Sequence, residues 1–239
     1  MDESENQIIL VDKPAGISSF GAVARVRRQL TEKFGHKVKV GHTGTLDPFA
    51  TGLLILLTGK MTKKSNEFLK LDKVYEATLR LGYTSTTGDP EGEIQLYSNE
   101  GGPERGSARS SAGRPWRRAG RTRPELNTIE STLSSFVGKT KQQVPRFSAV
   151  KINGERAYKL ARKGKNFETP TREIEIYSIE ILEYNYPELK IRTHVSSGTY
   201  IRTLAEDIGK KLGTGAYLTS LRRTKIGNYD IKDAIINLC

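Results

Sequence analysis

GHTGTLDPFATG, residues 41–52, places three glycines, one histidine, one acid and one proline within twelve residues. The acid, Asp47, precedes Pro48 and has no second acid beside it. The flanking glycines let the backbone turn sharply and approach a ligand closely. Pro48 fixes its own φ and pushes Asp47 toward an extended conformation, which presents the carboxylate rigidly. A lone carboxylate can act as a nucleophile or as a single acid/base. It would want an arginine nearby to hold it ionised and oriented. An Asp-Pro pair is also an ordinary turn or helix-cap element, and spacing alone leaves both readings open.

Outward from this loop the pattern is mixed. Ile8 to Val11 is a short apolar run followed by the turn-like DKPAG. Ser18 or Ser19 can cap a helix, along which Phe20, Val23, Val26, Leu30 and Phe34 recur at three- and four-residue spacing. LLILL (53–57) reads as a buried strand, and VYEATLRLGY (74–83) alternates as a strand does. LNTIESTLSSFVG (126–138) reads as a helix closed by Gly138. EIEIYSIEILEYNYPELKIRTHV holds two strands about a turn at 185–188. TYIRTLAEDIGKKLG (199–213) reads as an amphipathic helix ended by Gly213. The strands come in antiparallel-looking pairs rather than regular βαβ units, so the expected class is α+β.

Composition sets limits. The chain has 239 residues, 36% of them hydrophobic, and a net charge of +12. An excess of that size points to nucleic acid as partner. No run approaches the roughly 18 apolar residues of a membrane helix, and MDESENQ at the start is no secretory signal. A cytoplasmic protein without a membrane partner is expected. The single cysteine, Cys239, excludes a disulfide within the chain and a cysteine-based zinc site. The histidines, His36, His42 and His194, lack ligand spacing. Gly59-Lys60-Met61 is not a phosphate-binding loop, since both its spacing and its hydroxyl are wrong. Neither cofactor nor metal is expected. Residues 99–125 differ from the rest, with seven Arg, no Lys and, apart from Trp116, almost nothing apolar. They read as a disordered insertion.

The motifs carry a resemblance. GHTGTLDPFATG followed by LLILLTGKMTK resembles the signature loop of the TruB family of RNA pseudouridine synthases. IILVDKPAGISS (8–19), KVYEATLRLGYTSTTGDPEGE (73–93), VPRFSAVKINGERAYKLARKG (144–164), SSGTYIRTLAEDIG (197–209) and GAYLTSLRRTKIG (215–227) are similar to the family's other motifs, in the family's order. The resemblance implies a pseudouridine synthase fold, with a mixed, mainly antiparallel central sheet flanked by helices and an active-site cleft. It implies one catalytic domain over 1–239, without a C-terminal PUA domain. It implies isomerisation of uridine to pseudouridine at position 55 in the T-loop of tRNA, by a monomer that needs neither a cofactor nor a protein partner.

Site roles follow by position. Asp47 would be the catalytic nucleophile, attacking either the sugar or the base. Tyr75 would stack on the flipped uracil, and Arg202 would pair with Asp47. His42 would help order the RNA loop, Leu218 would wall the uracil pocket, and Asp89 and Tyr158 would be polar positions near the site or the RNA. Without the resemblance, His42 reads as a core or surface histidine, Leu218 as plain core, Tyr75 as a strand aromatic and Arg202 as a solvated helix charge. Arg222, Arg223, Lys225 and the basic run at 60–64 are candidate phosphate contacts. The competing reading is a non-catalytic tRNA-binding or tRNA-folding protein of the same fold. A guide-RNA-directed, dyskerin-like enzyme is disfavoured by the short chain.

Overall fold

The computed structural model describes residues 5–98 and 123–237. Its strands are β1 (Ile8–Lys13), β2 (Val40–His42), β3 (Thr51–Thr58), β4 (Lys73–Leu81), β5 (Tyr83–Ser85), β6 (Ile94–Leu96), β7 (Gly138–Gln143), β8 (Lys151–Ile152), β9 (Glu155–Arg156), β10 (Thr171–Asn185), β11 (Glu188–Val195), β12 (Ala216–Ile226), β13 (Tyr229–Asp230) and β14 (Ile236–Asn237). Its α-helices are α1 (Ser19–Phe34), α2 (Ser65–Leu69), α3 (Leu126–Ser134), α4 (Ala157–Arg162) and α5 (Ile201–Lys211).

One sheet dominates, in the order β14-β1-β3-β12-β4-β11-β10-β7, with β2 beside β3 and β13 beside β12. Seven of its nine pairings are antiparallel; β1–β14 and β3–β12 are parallel. The fold is therefore α+β with a mixed, mainly antiparallel sheet, as the pattern of paired strands predicts.

Each layer follows from its residues. In α1 the Ser18 hydroxyl accepts from the Gly21 N–H at 3.0 Å, and Gly35, at φ 73°, closes the helix. Its Ala22, Val23 and Val26 pack on Val11, Leu54 and Leu56. The other face of β1 and β3 is covered by Phe68, Ile226 and their neighbours. This is why LLILL is a continuous apolar run, since both faces of β3 are covered. A larger core joins α3 and α5 to one face of β4, β10, β11 and β12, through Ile129, Leu133, Ile201, Leu204 and Ile208.

Three expectations need correction or limits. Phe20 is not part of the α1 core stripe; it is 72% exposed. The helix begun at Leu126 ends at Ser134, and Gly138, at φ 110°, opens β7 rather than capping the helix. Most of the 99–125 segment lies outside the described residues. The part that is described, 123–125, is packed, with Pro124 buried, its carbonyl accepting from the Tyr184 hydroxyl at 2.7 Å, and the Arg123 guanidinium over the Tyr184 ring.

Candidate active site

The loop between β2 and β3 is held by side chains from three distant segments. From the start of α1, the buried Ser19 hydroxyl donates to the Leu46 carbonyl at 3.0 Å and accepts from the Leu46 N–H at 2.8 Å. From the end of β1, the fully buried Lys13 ammonium donates to the carbonyls of Pro14, Ile17 and Pro48, at 2.8, 2.9 and 3.3 Å. The Gly16 N–H also donates to the Pro48 carbonyl. From β12, the buried Arg223 guanidinium donates to the carbonyls of Leu53 and Gly44, at 2.8 and 3.1 Å. Buried carbonyls in an irregular loop require such donors. Gly52 has φ 106°, and a methyl group there would run into the Arg223 backbone, so glycine is required for β12 to lie against β3.

Held in this way, Asp47 faces the first turn of α5. Arg202 Nε lies 3.0 Å from Asp47 Oδ2, and Arg202 Nη2 lies 3.5 Å from Oδ1. The same guanidinium donates to the carbonyls of Thr87 and Phe147, at 3.0 and 2.9 Å, and its Nη1 lies 3.3 Å from Asp89 Oδ2. Asp89 is in turn fixed by the Thr87 hydroxyl at 2.6 Å and the Glu91 N–H at 3.0 Å. One cation thus serves two carboxylates. Burial pushes the Asp47 carboxyl above its ordinary value; Arg202 and Lys13 pull it back, and Asp89 pushes with the burial. Burial and the charge of Arg223 lower the Lys13 ammonium to about 8, against the opposing pull of Asp47. A single carboxylate, fixed by a buried arginine and partly open to solvent, is suited to nucleophilic or acid/base work.

Two family sequence models match the chain. The TruB family pseudouridylate synthase (N terminal domain) model matches residues 27–111 and 104–201, and the tRNA pseudouridylate synthase B C-terminal domain model matches 202–238. The chain belongs to the TruB family of pseudouridylate synthases. It is similar to a tRNA pseudouridine synthase B of Phocaeicola vulgatus, at 42% identity over 237 residues, covering 98% of this chain and 92% of that protein. A tRNA pseudouridine synthase B of Desulfotalea psychrophila is 44% identical over 238 residues, covering 97% and 86%. Among solved structures, a chain of a Cbf5-Nop10-Gar1 complex superposes with TM-score 0.67 at 26% identity, covering 98% of this chain. This chain spans about half the length of that one, 52%.

Of the other positions taken from the TruB resemblance, Asp89 contacts the pair directly, through Arg202. Tyr75 and Leu218 are buried in the same core as Leu46 and Ala50, which flank the Asp47 turn. Tyr75 lies opposite Arg223 in the β4–β12 ladder, and the Leu218 N–H donates to the Gly88 carbonyl, next to Asp89. His42 packs edge-on against Phe20, with ring centroids 4.9 Å apart, and its Nε2 is buried with no hydrogen-bond partner among the described residues. Burial and Arg223 lower its pKa, which favours the neutral ring. Tyr158 lies on α4, with the Arg162 guanidinium over its ring. Its N–H donates to the Ser148 carbonyl, one residue from the Phe147 that Arg202 holds.

The expected phosphate contacts at the end of β12 need revision. Arg223 is buried and holds the loop, so it is not a surface contact. Arg222 pairs with Asp12 at 2.7 Å, and Lys225 with Asp230 at 3.3 Å. Lys60, Lys63 and Lys64 are exposed. Sequence reasoning missed the clamps Lys13, Ser19 and Arg223. Lys13 had one readable signal, because it ends a strand whose alternation points it inward with Ile9 and Val11. Arg223 had none, since its partners lie some 170 residues away in the chain.

Proposed function

We propose that this protein converts uridine to pseudouridine in tRNA, at position 55 of the T-loop. The observation that carries the reading is the Asp47–Arg202 pair, at 3.0 Å, on the loop that bears the TruB signature. It is supported by membership of the TruB family and by relatives named tRNA pseudouridine synthase B.

The reaction is an isomerisation. The bond from the sugar C1′ to the base nitrogen breaks, the base turns, and C1′ rejoins through a ring carbon. The hydrogen on that carbon leaves as a proton, and the freed nitrogen takes one up, so no electrons are gained or lost. Asp47 is the nucleophile, and attack on the sugar or on the base alike requires it ionised. Arg202 supplies the opposite charge that keeps it so against the push of burial. Tyr75 stacks on the uracil and Leu218 walls its pocket. His42, Asp89 and Tyr158 order the RNA loop and the groups around the pair. The target base is stacked inside a folded loop and must be extruded, at a cost of a few kcal/mol. Phosphate contacts from a chain of charge +12 offset that cost.

The test is pseudouridine formation in an unmodified tRNA transcript. The native protein should form product at the T-loop uridine. Asp47→Asn should bind the transcript but form none, and a transcript lacking that uridine should remain unmodified. Tight, salt-sensitive binding by the native protein without product would overturn the catalytic reading.

A further inference from the structure

Phe20 is a large aromatic ring in an unusual place. It is 72% exposed, although it stands in the first turn of a helix whose next apolar positions are buried. Singly exposed apolar residues are common and need no explanation. Three features set this one apart. The ring packs edge-on against His42, whose Nε2 is buried and unpartnered among the described residues. Its chain neighbour Ser19 is locked to Leu46 by two hydrogen bonds, so Phe20 is held in fixed relation to the Asp47 loop. Arg27 lies seven residues on, on the same helix face, since seven residues make nearly two full turns, about 10 Å along the axis. Arg27 is exposed and makes no ion pair among the described residues.

We infer that Phe20 is a stacking platform for an unpaired base of the tRNA T-loop next to the target uridine, and that Arg27 holds a phosphate of the same strand. The inference rests on the tRNA substrate proposed above. RNA loops are read by stacking bases on aromatic side chains, and each stack contributes about 1–3 kcal/mol. A rigid ring on the rim of the site, with a free cation two turns away, provides both kinds of contact that single-stranded RNA uses. Extruding one base leaves its neighbours unstacked, and Phe20 offers one of them a surface. His42 forms the inner wall of the platform, its ring edge-on to Phe20.

The experiment measures tRNA affinity and single-turnover rate for the native protein, Phe20→Ala, Phe20→Trp and Arg27→Ala. Tyr177→Ala, which removes an exposed ring lying against His194 away from the site, is the control. Transcripts carry a fluorescent adenine analogue at an unpaired position beside the target uridine. Phe20→Ala should weaken binding between about 5- and 150-fold and abolish the quenching of the analogue, while the rate at saturating RNA changes far less. Phe20→Trp should restore both binding and quenching. Arg27→Ala should weaken binding and reduce the salt slope by about one. Unchanged affinity and quenching in Phe20→Ala, with an active native protein, would overturn the platform alone. So would a change from monomer to dimer that depends on Phe20. A native protein that neither binds nor modifies tRNA would instead overturn the substrate reading.

Discussion

Replacing Arg202 by glutamine would remove the one cation in contact with Asp47 among the described residues and leave the two carboxylates, Asp47 and Asp89, without the charge they share. With the nearest atoms at 3.0 Å, the charge centres are about 4 Å apart. At that separation a pair is worth about 4 kcal/mol at an effective dielectric of about 20. Asp47 keeps a third of its side chain exposed, so solvent screens part of this. The remainder corresponds to about 1–3 pH units. The Asp47 carboxyl is already raised by burial, and losing the arginine raises it further. The reaction needs the ionised form, so the acid limb of the rate profile should move to higher pH by about that amount. Arg202→Lys retains the charge and should leave the limb near its native position, with a lower plateau because the two-pronged contact is lost. The assay is the single-turnover release of tritium from the base carbon that becomes the new glycosidic carbon, measured across pH with binding measured in parallel. Binding should be nearly intact in both variants. The glutamine variant also leaves the carbonyls of Thr87 and Phe147 without their donor, so its fold is checked first by circular dichroism. A folded glutamine variant with an unmoved acid limb would refute the reasoning and leave Arg202 as a scaffold for those two carbonyls. Equal loss of binding and turnover would make it an RNA contact.

Two further outcomes follow from the clamps. Gly52→Ala should lower stability by ~2 kcal/mol or more, because its φ is positive and the added methyl meets the β12 backbone; the urea midpoint measures this. Lys13→Met should remove the donor from three carbonyls, costing ~1–3 kcal/mol near neutral pH. Native Lys13 titrates at about 8, below its unfolded value of 10.5, so between those pH values the unfolded chain holds more of this proton. The stability of the native protein relative to Lys13→Met should therefore rise across that window, as thermal unfolding at matched pH values would show.

The local parts of this fold were legible because their signals are local. Ser18 and Gly35 mark the ends of α1, and the run at 53–57 marks a strand covered on both faces. Asp47 stood out because glycines and a proline surround it. The order of the sheet was not legible. β12 inserts between β3 and β4 from far along the chain, and no periodicity encodes which edge a strand will take. The same distance concealed Arg223, whose two charged-looking neighbours in sequence, Arg222 and Lys225, do face outward. Gly138 was misread because a glycine at positive φ serves a strand opening as readily as a helix end. Phe20 fits the three-residue spacing to Val23 yet faces solvent, because it lies at the edge of the buried stripe, on the face it shares with the exposed Arg27.

The place of β12 has a consequence for biosynthesis. Among the described residues no ladder joins β3 to β4 directly; each is hydrogen-bonded to β12. A nascent chain that has not yet delivered Ala216 lacks the strand that hydrogen-bonds the two half-sheets to each other, and only Arg202 and the packing of α5 relate Asp47 to the half-sheet of Tyr75. At about 5–20 residues per second, the edges of β3 and β4 wait on the order of ten seconds for their shared neighbour. Synthesis therefore passes through a stage in which both halves are made and neither can work. Chaperones that mask strand edges would act on that stage, and a ribosome that stalls before β12 would release an inert protein prone to edge pairing rather than a weakly active one.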